Sequence, residues 1–460
     1  MKKKLQLPKE FRLFAPWEHA ADRIISPLEE FIKSQTASAL ALVFMTFLSL
    51  ILANSSLQEV YHHFFEQKVA ISFGDWRLSM SLHHWINDGL MALFFFLVGL
   101  EIKREILIGE LSDFKAALLP VLAALGGMFV PALFYAVLNW GKPTLGGWGI
   151  PMATDIAFAI SVLVLLGRRI PPSLVTFLVA LAIVDDLGAV VVIALFYTDT
   201  VHVLPLALAL GVWGLLWIFN RGGIHSIFPY FLGGVLMWGL MLASGIHATI
   251  AGVLTALAVP TQPKIIPQHF DRVLERLLDA CRSVSPSGGH HLSPEQKLVI
   301  HAVYAAAIDA QPPSLRLEHA LHLPVALLVI PLFALANAGV PLSLKALTGV
   351  FAHPVSLGII VGLVLGKMLG ILGTTWAALK LGVASLPSGA RMSQILGVGL
   401  LGGIGFTMSI FIAELAWPGQ EELLTQAKMG IICASLLAGS SGYLWLRFFS
   451  SSSKAKINKI

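Results

Sequence analysis

The feature that most constrains this chain is a succession of apolar runs long enough to cross a bilayer. Residues 172–197, PSLVTFLVALAIVDDLGAVVVIALFY, form one of them. A helix needs roughly 20 predominantly apolar residues to span the hydrocarbon core. Comparable runs fall at 36–54, 85–102, 116–138, 149–166, 172–197, 203–219, 226–241, 245–260, 320–340, 353–379, 393–416 and 427–446. Only 12% of the 460 residues are charged, whereas a soluble domain carries about 25%. The pattern predicts an all-α polytopic membrane protein with twelve transmembrane helices. No short apolar segment with a small-residue cleavage site stands near the start, so no removable signal peptide is expected. The two cysteines, Cys281 and Cys433, lie in very different segments and do not suggest a disulfide framework.

Lys and Arg set the orientation, because short cytoplasmic loops collect them. With the twelve spans above, 25 of the 31 Lys and Arg residues fall on one side and five on the other. Both termini are therefore predicted cytoplasmic, with tails at 1–35 and 448–460 and the largest loop, 261–319, on the same side. The net charge of +5 follows this bias and is no sign of nucleic-acid binding. The one cation left over is Lys367, in GLVLGKMLGILG, near the centre of the tenth span. The stretch KVAISFGDWRLSMSLHHW (68–85) reads as a hairpin on the opposite side, turning around Gly74-Asp75. Two amphipathic helices are expected in the large loop, HFDRVLERLLDACRSV and SPEQKLVIHAVYAAAIDA, joined by SPSGGHHL. Ser293 with Gln296 makes a capping box for the second.

Four ionisable residues lie at mid-span depth: Asp155, Asp185, Asp186 and Lys367. A charge at the bilayer centre costs at least about 2.5–3.5 kcal/mol on insertion scales, so such groups pair with one another or line an aqueous path. Asp88, in HHWINDGLMALFF, lies nearer a membrane edge, where a structural role is as good a reading. Neighbouring helical positions point about 100° apart. Asp185 and Asp186 thus cannot share one face, and one can meet a cavity while the other meets a neighbouring helix or Lys367. Carboxylate oxygens suit a small hard cation such as Na⁺ or Li⁺. Burial raises a carboxylate's hold on its proton and lowers that of a lysine. A proton and a metal cation could therefore compete for this site, which is the minimum device for exchange transport.

Two spans look interrupted. In IPMATDIAFAISVLVLL, Pro151 and Thr154-Asp155 break the fourth. LGVGLLGGIGFTMSIFI, the eleventh, carries Gly397, Gly399, Gly402, Gly403 and Gly405, which serve either an interruption or close helix packing. Paired interruptions point to discontinuous helices at a transport site. Spans 3–5 and 10–12 would be inverted three-helix repeats, each with its broken helix in the middle. At the cytoplasmic edge, GLEIKREIL clusters Glu101, Lys103, Arg104 and Glu105, and RLEHALH adds Glu318, His319 and His322. Those groups are either ordinary interfacial charge or a funnel whose charge varies with pH. His247, in SGIHATIAG, sits near the other side and reads as a packing or hydrogen-bonding residue.

The segments MATDIAFAISVLVLLGRRIP, ALAIVDDLGAVVVIALFYT, SGIHATIAGV, PLFALANAGV, GKMLGI and GIGFTMSIFIA resemble the NhaA family of bacterial sodium/proton antiporters, from about residue 36 to 447 outside the large loop. The resemblance implies a twelve-helix inverted-repeat fold in which spans 4 and 11 are interrupted and cross at mid-membrane. It implies an electrogenic, pH-regulated antiporter of the bacterial inner membrane that extrudes cytoplasmic Na⁺ or Li⁺ for external protons, without a cofactor. Asp185 and Asp186 would be the ion and proton site, supported by Asp155, Thr154 and Lys367, the last acting through Asp155 or Asp185. Glu101, Arg104, Glu105, Glu318 and His319 would sense pH, together with His247. The 68–85 hairpin would join a homodimer. The large loop is longer than expected of the family and lies beside that sensing cluster.

Two other functions fit paired intramembrane aspartates. A sodium-coupled organic-anion symporter would need a cavity for its substrate. An intramembrane aspartyl hydrolase favours aspartates on facing helices, whereas Asp185 and Asp186 are adjacent on one.

Overall fold

A computed structural model describes residues 35–449 apart from Asp75, Asp199, 284–292 and 342–348. The tails 1–34 and 450–460, the SPSGGHHL connection and Asp75 of the hairpin turn thus lie outside the described residues. The described chain is helical throughout, save for one two-stranded sheet. Helices α1 (Gln35–Ala53) and α2 (Gln58–Glu66) lead into strands β1 (Lys68–Phe73) and β2 (Trp76–Ser81). These pair antiparallel from Lys68↔Ser81 to Phe73↔Trp76, and Gly74 turns with φ 60°. A helical turn, Leu82–His84, and a π-helical turn, Trp85–Leu90, then open α3 (Met91–Leu107).

Next come α4 (Phe114–Leu138), a 3-10 helix (Pro143–Met152), α5 (Ile156–Leu165), α6 (Pro172–Phe196), α7 (Val203–Arg221), α8 (Phe228–Ser244) and α9 (Ile250–Ala258). The large loop folds as α10 (Pro267–Ser283) packed on α11 (Pro294–Asp309). At the start of α11, Ser293 and Gln296 exchange side-chain and backbone bonds as a capping box. The remainder is α12 (Pro313–Pro324), a π turn, α13 (Ile330–Asn337), α14 (Pro354–Ile360), a π turn (Val361–Gly366), α15 (Lys367–Lys380), α16 (Met392–Gly402), α17 (Phe406–Ala416) and α18 (Glu421–Phe449).

Among the described residues, six helical segments are long and apolar enough to cross a membrane, and up to nine spans result if each of three bent helix pairs is one. The expected count of twelve is not reached by that measure. The 85–102 run divides between a π turn and α3, and α8 and α9 have only 17 and 9 residues. The protein is a multi-pass membrane protein, and large apolar side chains such as Phe129, Leu195 and Phe228 stand exposed on its outside.

The core that positions the site is the contact of α4 with α15. Gly362, Gly366 and Gly370 repeat every four residues along one helical face. A Cβ on Gly366 would stand 2.7 Å from Pro131 Cα, and one on Gly370 would collide with the Gly126 carbonyl. Small residues at this spacing let helix backbones approach where no hydrophobic force separates helix from lipid. The close approach carries Lys367 into the protein interior, where it is completely buried.

Candidate functional site

Two helix breaks meet at the site. The 3-10 helix and α5 bend by 43° at their junction, and α16 and α17 by 45°. In the first break, Ala153 and Asp155 take extended backbone, with ψ 148° and 98°. Pro151 lacks an N–H and ends the regular hydrogen bonding there. In the second, Gly403 lies so close to the Leu363 carbonyl that a Cβ would collide with it. The two breaks bond to each other: Asp155 N–H donates to Ile404 O at 2.6 Å, and the Thr154 hydroxyl lies 2.9 Å from Gly402 O.

Asp155 closes two helix N-termini at once. Its Oδ1 accepts from Phe158 N–H of α5 at 3.1 Å. Its Oδ2 accepts from the backbone N–H and the hydroxyl of Thr407 in α17, at 3.1 and 2.6 Å. Both N-termini carry unsatisfied N–H groups and partial positive charge, so one carboxylate compensates two helix ends. Thr407 is a residue of this site that the sequence did not single out. The signal was present in GIGFTMSIF, where a hydroxyl follows the last glycine of the break.

Asp185 and Asp186 lie mid-way along α6, both buried. They take different surroundings, as the 100° between adjacent positions requires. Asp185 Oδ2 accepts from the Lys367 ammonium and from the Thr154 hydroxyl. The choice between Asp155 and Asp185 as the partner of Lys367 thus falls to Asp185. That hydroxyl has one proton for two acceptors, Asp185 and Gly402, and can serve one at a time. Oδ1 of Asp185 and Oδ1 of Asp186 are both buried without a hydrogen-bond partner. A cavity of about 130 Å³ reaches Asp155, Thr154, Asp186 and Thr407 from an end marked by Glu101 and His322. Asp185 and Lys367 are not among its lining residues.

Three residues past Glu101 on α3, Arg104 pairs with both Glu105, at 2.8 Å, and Glu318. Beside it, Lys103 donates to the carbonyls of Leu257 and Val259, where α9 ends. His319 is exposed, whereas His322 lines the cavity. Elsewhere, Asp88 Oδ1 lies 3.9 Å from His247 Nδ1, and the His247 ring packs against Phe411.

Chemically, the arrangement offers two aspartates on the cavity, Asp155 and Asp186, a third, Asp185, held by a cation, and two orphan oxygens. Among the described residues, no group of three or more His, Cys, Asp or Glu is placed to hold a metal ion.

The family model described as Na⁺/H⁺ antiporter 1 matches residues 29–446. The chain is 55% identical over 441 residues to the Na(+)/H(+) antiporter NhaA of Sulfurimonas denitrificans, covering 96% of this chain and 99% of that protein. It is 46% identical over 445 residues to the Na(+)/H(+) antiporter NhaA 1 of Saccharophagus degradans, covering 96% and 95%. To the Na(+)/H(+) antiporter NhaA of Dichelobacter nodosus it is 46% identical over 449 residues, covering 97% of each.

Proposed function

The chain belongs to the Na⁺/H⁺ antiporter 1 family, and from that premise we propose that it extrudes cytoplasmic Na⁺ or Li⁺ in electrogenic exchange for external protons, at Asp185 and Asp186. The observation that carries this reading is the division of labour between the two aspartates. Asp186 lines the cavity, and Asp185 is tied to Lys367 behind it.

In this reading protons occupy the pair in one facing state. A cation arriving through the cavity meets Asp186 first. It takes full coordination only when Asp185 leaves Lys367, because Asp185 Oδ2 is already engaged while its Oδ1 is free. The loaded site then turns outward, where external protons displace the cation. Asp155 and Thr154 keep the two breaks together during this turn through their bonds to Thr407, Ile404 and Gly402. Lys367 supports the assembly by neutralising Asp185 whenever the cation is absent.

The finer architecture belongs to the same proposal: twelve spans, inverted repeats at spans 3–5 and 10–12, crossing helices at spans 4 and 11, and both termini with the 261–319 loop in the cytoplasm of an inner-membrane protein. The 25-to-five division of Lys and Arg supports the orientation. Glu101, Arg104, Glu105, Glu318, His319 and His247 are the proposed pH-sensing group. The exposed strand residues Val69 and Ile71 support pairing of two copies through the hairpin. A 130 Å³ cavity is small for an organic anion, and Asp185 engaged by a lysine is a poor partner for aspartyl hydrolysis.

The test is a reconstituted one. Purified protein in vesicles with an imposed pH gradient receives NaCl, LiCl or KCl between pH 6.5 and 8.5. Collapse with Na⁺ and Li⁺ but not K⁺, lost in Asp185→Asn, is expected. Persistence of exchange in Asp185→Asn would falsify the site.

A further inference from the structure

A second, partly buried polar cluster lies at the far end of α17 from the aspartates. Glu414 stands seven residues past Thr407 in the same helix, about 10 Å along its axis. Between them Phe411 packs against Phe95, Phe333 and His247. The cluster is therefore separated from the site by an aromatic layer, on the side opposite the cavity mouth at Glu101 and His322. Its members come from four parts of the fold. His83 precedes α3, Asn337 ends α13, Glu414 is in the last turn of α17, and Lys428 is in the early part of α18.

The bonds fix the chemistry of His83. Asn337 Nδ2 donates to the Phe333 carbonyl at 2.9 Å and to Asn87 Oδ1 at 2.8 Å, so its amide orientation is settled by a backbone acceptor. Its Oδ1 then faces His83 Nε2 at 3.0 Å. A carbonyl oxygen only accepts, so Nε2 carries the proton and Nδ1 is left to take the next one. His83 Nε2 is 3.9 Å from Glu414, and Glu414 is 2.7 Å from the Lys428 ammonium. The titratable groups facing His83 are Glu414 from α17, Lys428 from α18 and His84 beside it, with the attraction of Glu414 outweighing the repulsion of Lys428. Both partners of this ion pair are nearly buried, at 12% and 10% exposure.

We propose that His83, Glu414 and Lys428 form an outer latch, in which a proton taken from the external side by His83 tightens its hold on Glu414 and keeps the outward route to the aspartates shut. This rests on the antiport reading and its orientation. His83 is joined through the π turn to α3, and Glu414 shares α17 with Thr407. Their contact therefore ties the start of α3 to the half-helix whose N-terminus Asp155 caps. With His83 neutral, Glu414 keeps its pair with Lys428 of α18, and Asn87 keeps its bonds to Asn337 of α13. Protonated His83 adds a charge-assisted contact that an outward-opening motion has to break. Burial lowers the proton affinity of His83, so the latch tightens below the ordinary histidine range.

The experiment uses full-length protein reconstituted with its cytoplasmic face inward. Internal pH, internal ²²Na⁺ and the membrane potential are held constant while external pH is varied from 8.0 to 5.5. A lower external pH raises the driving force, so a fall in Na⁺ efflux cannot come from energetics, and fixed internal pH keeps the Arg104 cluster constant. For the unmodified protein, efflux is expected to fall about fivefold or more across this range. In His83→Gln and Glu414→Gln it should change less than about twofold, while Glu414→Asp keeps the original profile. Na⁺ binding by each variant in detergent shows that its fold is retained, and His83→Gln decides the matter should Glu414→Gln not fold. An unaltered external-pH profile in His83→Gln overturns the latch and leaves the antiport reading standing. Absence of any Na⁺/H⁺ exchange in the unmodified protein overturns both.

Discussion

Lys367 and Asp185 stand 182 residues apart in the chain and form an ion pair in which both side chains are completely buried. Asp186, one position away, keeps its Oδ1 without a partner. Removing one member of a buried pair strands the other charge, a loss typically of about 3–5 kcal/mol. Lys367→Ala and Asp185→Asn should therefore lower thermal stability as well as exchange. Asp186→Asn strands nothing and should abolish exchange while leaving the melting temperature within a few degrees. Melting in detergent alongside vesicle exchange checks this; equal destabilisation by Asp185→Asn and Asp186→Asn would contradict the division between them.

Thr407 serves Asp155 with both its N–H and its hydroxyl. A hydrogen bond to a charged group contributes about 1.5–3 kcal/mol. Thr407→Val keeps the shape and the backbone bond but deletes the hydroxyl. It should destabilise the protein by an amount in that range and slow exchange at least about tenfold, whereas Thr407→Ser should stay near the starting rate. Chemical denaturation and initial exchange rates measure the two effects, and a Thr407→Val protein with unaltered rate would show that the cap has no part in transport.

Gly370 and Gly373 lie three residues apart in α15 and face different surroundings. A Cβ at position 370 would strike the Gly126 carbonyl, a backbone atom that cannot rotate away, while position 373 has open space. Gly370→Val should force α4 and α15 apart, displace Lys367 and prevent accumulation of folded protein. Gly373→Ala should be neutral or slightly stabilising, since alanine favours the helix by about 1 kcal/mol over glycine. Folded yield by size-exclusion chromatography separates the two.

Arg104 is the shared cation of Glu105 and Glu318. An opposite charge within a few ångströms favours the ionised carboxylate. Arg104→Gln removes that favourable charge from the cluster. If cluster ionisation activates exchange, half-activation should move by about one unit to the alkaline side, with Arg104→Lys moving it less. A shift to the acid side, or none, in the pH profile of vesicle exchange would separate this cluster from activation.

Much of this molecule was legible along the chain. Apolar run length assigns the membrane class, because the cost of burying a charge or a bare backbone in hydrocarbon acts on each residue by its own type and depth. That is why Asp155, Asp185, Asp186 and Lys367 could be singled out, and why Pro151 and the 402–405 glycines marked the breaks. Partnership was not legible in the same way. That Lys367 meets Asp185, that Asp155 caps a helix beginning 251 residues later at Phe406, and that His322 rather than His319 lines the cavity depend on how each helix is rotated and how closely it packs. Helix rotation is decided by contacts such as Gly370 on Gly126 and Gly403 on Leu363, between segments remote in the chain. The His83–Glu414–Lys428 cluster is of the same kind: three polar residues, unremarkable in their own segments, become one group only when the start of α3 converges with α17 and α18.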